Sequence, residues 1–319
     1  MKIGMVTDSL GHLAFDDMLD TAARMGIKGV EFNACNWTSA PHLNLPELVS
    51  NASARKAFLG AIRQRGLELI ALNANGNQLH PTDGKRQSDA LYDTIRLAGE
   101  LGVETVVLMS GLPEGAPGDT MPNWVVSSWP PETQTMLKYQ WEERLLPYWK
   151  KLADHAKAHG VKLAVELHGN QLVFNVPTLL RLRKEVGNIV GANLDPSHLM
   201  WMGADPLAAV DALGGAIRHT HAKDTMINKP AAALSSRLEN RSLMDIPARA
   251  WSYITLGYGN GESWWRDFCY RLRMAGYDGW LSIEHEDVMF SRLEGLRKSV
   301  ELLRLVLPQE AGDFKPQDF

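Results

Sequence analysis

ERLLPYWKKLADHAKAHG (143–160) runs through Val161 into KLAVELH (162–168), and this junction decides the fold. The first part is amphipathic and stops on a glycine, the residue best able to take the left-handed turn that closes a helix. The second is a short apolar run of strand length ending in an acid and an imidazole. Outward from the junction the same cadence repeats. Strand-like runs precede it at KIGMV (2–6), KGVEFN (28–33), LELIALN (67–73) and ETVVLMS (104–110). Others follow at IVGANLD (189–195), IRHTHAK (217–223) and WLSIEHE (280–286). Between them lie amphipathic stretches such as FDDMLDTAARMG, ARKAFLGAIRQRG and SDALYDTIRLAGELG. Gly26, Gly66, Gly102, Gly160 and Gly276 each stand just before a strand, where a helix cap belongs.

Eight strands alternating with about eight helices predict parallel βα units. A doubly wound open sheet would give a similar string. The closed barrel is preferred because no GxGxxG follows the first strand, and polar residues gather at many strand ends rather than at one switch point. The expectation is therefore an α/β chain forming one (β/α)8 TIM barrel over residues 1–307, with a C-terminal tail at 308–319. Two connections are long: 111–138 after the fourth strand, rich in Pro, Gly and Trp, and 225–261 after the seventh. Long structured loops commonly cover active sites, although they also serve as oligomer contacts.

Composition narrows the function. The chain has 319 residues, 45% hydrophobic and 22% charged, with a formal charge of -4. No basic surface advertises nucleic acid or anionic lipid. Cys35 and Cys269 are too few for a disulfide framework and lack the spacing of a thiolate metal site. No apolar run reaches membrane-span length, and MKIGMVTDSL lacks the apolar core of a signal peptide. A cytoplasmic enzyme without membrane or nucleic-acid partners is the expectation.

The chemistry is concentrated at the ends of the last four strands. The fifth ends in Glu166 and His168, and the sixth in Asp195, with His198 three residues on. The seventh carries His219 and His221 in HTHAKD, and the eighth delivers Glu284 in SIEHED. In a barrel these ends converge on one rim. Glu166, Asp195, His221 and Glu284 would offer a cation three carboxylates and one imidazole, a set suited to Mn²⁺, Co²⁺ or Mg²⁺ rather than structural Zn²⁺. Each has a plainer explanation as a helix cap or rim ion pair. HTHAKD alone is weak, since its two histidines are expected on opposite faces. The set carries the signal, because three carboxylates converging without a cation would repel.

VELH, NLDPSH, HTHAKD and LGYGNGESWWRDFCYRLRMAGYDGWLSIEHED together resemble the xylose isomerase-like TIM-barrel superfamily of sugar isomerases, epimerases and related enzymes. The resemblance covers nearly the whole chain. It implies a metal held by Glu, Asp, His and Glu of strands five to eight, which fall on Glu166, Asp195, His221 and Glu284. It further implies that Glu166 and Glu284 double as the acid/base pair, and that His198 contacts a substrate hydroxyl. The reaction implied is proton abstraction beside a carbonyl of a metal-bound sugar, as in an isomerase or epimerase. The chain is also similar to catalytic subunits of C-glycoside deglycosidases, where an ELH-type strand end supplies ligand and base. That resemblance implies His168 as base, elimination from a 3-oxo-glycoside, and a small second subunit. Barrels of this type commonly form oligomers. Endonuclease IV is set aside: its further zinc histidines would lie at strand ends three and four, which here carry Asn73, Ala74, Asn75, Met109 and Ser110.

Lys223 offers a partner for an anionic or carbonyl oxygen, or for Asp224 or a rim carboxylate. Asn33, Asn73 and Asn75 would bind sugar hydroxyls or satisfy loop backbone. Trp124, Trp129, Trp201, Trp264 and Trp265 would form a platform for a sugar or aglycone, or simply pack; for the last two, packing is preferred. A barrel that binds a sugar without turning it over is the remaining alternative.

Overall fold

The computed structural model describes residues 1–315. Its barrel strands are β1 (Lys2–Val6), β2 (Gly29–Asn33), β3 (Glu68–Asn73), β4 (Thr105–Leu108), β5 (Lys162–Glu166), β6 (Val190–Leu194) and β7 (Ile217–Ala222). A hairpin of β8 (Asp224–Ile227) and β9 (Trp251–Ile254) follows, and β10 (Trp280–Ile283) completes the barrel. The eight barrel strands pair in parallel, and β10 bonds to both β1 and β7, so the sheet closes and has no edge. The (β/α)8 expectation is met.

Helices wrap the outside because one stripe of each is apolar. The helix Phe15–Met25 buries Met18, Leu19 and Ala22 against the sheet, and full burial of a Leu or Met side chain contributes about 1.5–3 kcal/mol. It ends at Gly26, whose φ of 80° admits no ordinary side chain cheaply. The other four glycines singled out in the sequence also have positive φ.

Inside the barrel, Ile70, Val107 and Ala164 form an apolar cluster with Trp280. A Cβ at Gly29 would lie 2.4 Å from Ile70 Cγ2, so glycine there makes room for this filling. Towards the C-terminal ends of the strands the interior turns polar, with buried Glu31, Asn73, Asn193, His219 and His221.

The connection 225–261 is not an irregular loop. It holds the antiparallel β8–β9 pair, with Thr225 opposite Tyr253, and the helix Lys229–Ser235. Residues 111–138 carry an isolated bridge between Glu114 and Pro122 and most of the helix Glu132–Tyr139. The last helix is Arg292–Val306. Beyond it, the Pro308 carbonyl accepts hydrogen bonds from the Met1 ammonium (2.9 Å) and Arg273 (2.6 Å), tying the chain ends together. The rest of the anticipated tail, 316–319, lies outside the described residues. Among the described residues no helix is long and apolar enough to cross a membrane.

Candidate metal centre

Glu166 is the last residue of β5, and Asp195 follows β6 directly. His221 lies one residue from the end of β7, and Glu284 one residue past β10. The closed sheet brings these ends together. His221 Nδ1 lies 3.2 Å from Glu166 Oε2, 3.3 Å from Glu284 Oε2 and 3.9 Å from Asp195 Oδ2. None of these contacts has hydrogen-bond geometry, and both His221 Nδ1 and Asp195 Oδ2 are buried without a partner.

Asp195 fills the capping role foreseen for it and keeps one oxygen available for the other. Its Oδ1 caps the helix Pro196–Met202 by accepting from Ser197 N at 2.8 Å, which leaves Oδ2 aimed inward. Ligand atoms of Asp195, His221 and Glu284 lie within 4.8 Å of one another. Two carboxylate charges at that spacing repel by about 3.5 kcal/mol at an effective dielectric constant of 20. Burial first, and then the Glu166 and Glu284 charges, push the Asp195 carboxyl up to about 7 against the pull of Lys223. A divalent cation fits this set: it would satisfy both orphaned atoms and relieve the repulsion.

The surrounding groups hold the centre in place. Glu166 Oε2 accepts from Asn193 (2.9 Å) and Asn75 (3.2 Å), while Oε1 faces His198 Nε2 at 3.2 Å. Burial would raise its pKa, but His198 and His221 outweigh it and keep the carboxylate ionised. His198 is pushed down to about 3, chiefly by burial and then by His168 and Lys223, so its ring is neutral. Its Nδ1 meets the Tyr253 hydroxyl at 2.9 Å, and Nε2 donates towards Glu166. His168 lies beyond the end of β5, its ring 4.1 Å from that of His198. Its Nδ1 donates to the Gly169 carbonyl at 2.5 Å, and burial lowers its pKa. Nε2 is therefore left as the unprotonated nitrogen.

Lys223 settles among carboxylates. Its Nζ is 2.8 Å from both Glu284 Oε2 and Glu286 Oε2, 3.7 Å from Asp195 Oδ2, and 4.4 Å from the centre of the Tyr253 ring. Burial opposes its charge, but these acids more than compensate. Asp224, the other partner considered, turns instead to the hairpin and accepts from Asn260 and Trp265.

Glu166, His168, His198, Lys223, Glu284 and Glu286 line a cleft of about 630 Å³, while Asp195 and His221 are fully buried. Asn33, Asn73 and Asn75 line it too, and the Asn73 amide donates to Glu31. The hairpin connection contributes Tyr253 and Leu243. The connection 111–138 contributes nothing there; its Trp124 borders a separate pocket. The anticipated tryptophan platform is not found, since none of the five lines the cleft. Trp201 stacks on Trp251 at 4.9 Å and Trp264 on Phe268 at 5.3 Å, Trp265 is fully buried, and Trp129 is 73% exposed. The tryptophan at the cleft is Trp37, which the sequence did not single out.

HTHAKD also needs correction. His219 and His221 do not face opposite ways: both meet Glu31, at 2.8 and 3.0 Å. Residues two apart on a strand share a face. Glu31, Tyr253 and Glu286 were the other functional positions missed. Glu31 left a signal, being an acid inside the apolar run KGVEFN, but Tyr253 left none.

The fold defines a class: the chain belongs to the xylose isomerase-like TIM barrel family, whose model matches residues 19–306. It is 48% identical over 313 residues to the uncharacterized protein YfiH of Bacillus subtilis (strain 168), covering 97% of this chain and 100% of that one. Among solved structures it is similar to the probable 3-DHS dehydratase AsbF of Bacillus anthracis, at TM-score 0.68 and 17% identity, covering 95% and 99% of the two chains. A D-tagatose 3-epimerase-like protein superposes at TM-score 0.63 and 19% identity over 96% and 98%. At such identities the likeness shows the fold alone.

Proposed function

We propose that this protein is a divalent-metal-dependent sugar isomerase or epimerase that removes a proton beside a carbonyl. The observation that carries the reading is the pair of orphaned atoms, Asp195 Oδ2 and His221 Nδ1, facing one another between two further carboxylates. Glu166, Asp195, His221 and Glu284 would hold the ion. Three oxygens and one imidazole favour Mn²⁺, with Co²⁺ or Mg²⁺ as substitutes. When bound, the cation supplies Lewis acidity, polarising the carbonyl next to the proton to be lost.

The chain's own groups do the rest. Glu284 is the most accessible ligand, its side chain 18% exposed to solvent, and it takes the proton at its carboxylate. Glu166, fixed by three donors, rests ionised. It therefore first takes up a proton from water and then returns it to the substrate on the opposite side, while Glu284 releases its own to water to reset the pair. Lys223 Nζ, beside Glu284, donates to the substrate oxygen on which negative charge develops. His198, Asn33 and Asn75 contact hydroxyls.

A second reading is supported by His168. Its unprotonated Nε2 suits it to act as the base in place of a ligand, and loss of an aglycone from a 3-oxo-glycoside would then follow the same first step. That lyase reading carries a small second subunit with it. The similar folds include an epimerase-like protein and a probable dehydratase, in keeping with either outcome once the proton is lost.

Chelator-treated protein, assayed with and without Mn²⁺ on free ketoses, inososes and 3-oxo-glycosides, tests both. Mn²⁺-dependent epimerisation of a ketose is expected. Elimination without any epimerisation rejects the first reading in favour of the second, and saturable binding without turnover leaves a binding barrel.

A further inference from the structure

Glu31 sits in the middle of β2, fully buried, where the register with β3 shifts between Val30 and Glu31. A lone buried carboxylate costs several kcal/mol, so its partners matter. Oε2 faces His219 Nε2 at 2.8 Å, and Oε1 faces His221 Nε2 at 3.0 Å and Asn73 Nδ2 at 2.9 Å. Asn73 Nδ2 can only donate, so Glu31 Oε1 accepts, and both imidazoles meet this same accepting group. An ionised carboxylate only accepts, so each facing nitrogen carries a hydrogen.

This settles which end of His221 is free. With one proton committed to Nε2, Nδ1 is the nitrogen that faces Glu166, Asp195 and Glu284. Against burial, Glu31 and Glu284 hold the ring charged, so a cation would bind in exchange for the Nδ1 proton. We propose that Glu31 is a positioning residue: it holds His221 as the Nε2–H tautomer and presents Nδ1 to the divalent cation, while His219 and Asn73 hold Glu31. The inference rests on the metal-centre reading above. A second cation between Glu31, His219 and His221 does not compete with it. Their ligand atoms also approach within 4.8 Å, but each is already spent in a hydrogen bond to another.

Mn²⁺ affinity measured by chelator competition on the whole protein tests this. Glu31→Gln places an amide that can donate to His221 Nε2 and reverse the tautomer, so a 10–100-fold loss of affinity is expected with an unchanged circular dichroism spectrum. Asp195→Asn is the reference. If Asp195→Asn abolishes binding and Glu31→Gln stays within twofold of wild type, the positioning role is wrong and the metal centre stands. If neither variant weakens binding, both fail. Should Glu31→Gln not fold, ¹⁵N NMR of the wild-type histidines with diamagnetic Zn²⁺ decides. A hydrogen on His221 Nε2 with Nδ1 shifted as a ligand is expected, and a hydrogen on Nδ1 overturns the proposal.

Discussion

The two sides of the barrel rim are built from different chemistry. Strands β5, β6, β7 and β10 carry Glu166, Asp195, His221 and Glu284 at or just past their ends, of which Glu166 and Glu284 line the cleft, while β2 and the chain just past β3 deliver Asn33 and Asn75 to it. One wall is charged and suited to a cation. The other offers neutral amides, which suit hydroxyl groups, and Asn75 also donates to Glu166. On the proposed function the first would be the reactive wall and the second the recognising one. The two long connections divide similarly: the β8–β9 hairpin sends Tyr253 to His198, and 111–138 packs away from the cleft.

Substitutions on each wall should give different kinetics. The largest effect belongs to the charged wall. Glu166→Gln removes a ligand and a proton carrier while keeping the volume, and kcat is expected to fall about 10²–10⁴-fold in steady-state assays with saturating Mn²⁺. A fall below tenfold would mean that the wall is not the reactive one. Asn33→Ala sharpens the contrast. Loss of one hydrogen bond worth about 1 kcal/mol should raise KM about fivefold, with kcat and Mn²⁺ affinity unchanged. A matching loss of metal affinity would erase the distinction between the walls. Smallest of all, Trp129→Ala in the connection 111–138, at a side chain 73% exposed, should leave kcat/KM unchanged and thermal stability within about 0.5 kcal/mol. A large loss of activity there would give that connection a place at the site.

Much of this architecture was legible in the chain. The helix-ending glycines and short apolar runs report local backbone preference, which the sequence states directly. The four candidate ligands could be grouped from the sequence because each closes a strand, and barrel closure turns that shared position into proximity. Glu31 could not be placed in the same way. Its partners His219 and His221 are 188 and 190 residues away, so the acid inside KGVEFN signals that something unusual is there but not which groups it meets. Tyr253 was hidden for a related reason, since its strand is an insertion whose pairing with β8 depends on how the hairpin folds back. The tryptophans misled because aromatic content says how much surface is buried, not which surface. Trp201 and Trp251 stack on one another, while Trp37 stands at the cleft.

The central claim is that one divalent cation sits among Glu166, Asp195, His221 and Glu284. Anomalous diffraction from crystals soaked in Mn²⁺ tests it most directly. One strong peak within bonding distance of Asp195 Oδ2 and His221 Nδ1 is the predicted result. A peak between Glu31, His219 and His221 instead, or none in the barrel at saturating Mn²⁺, would contradict it.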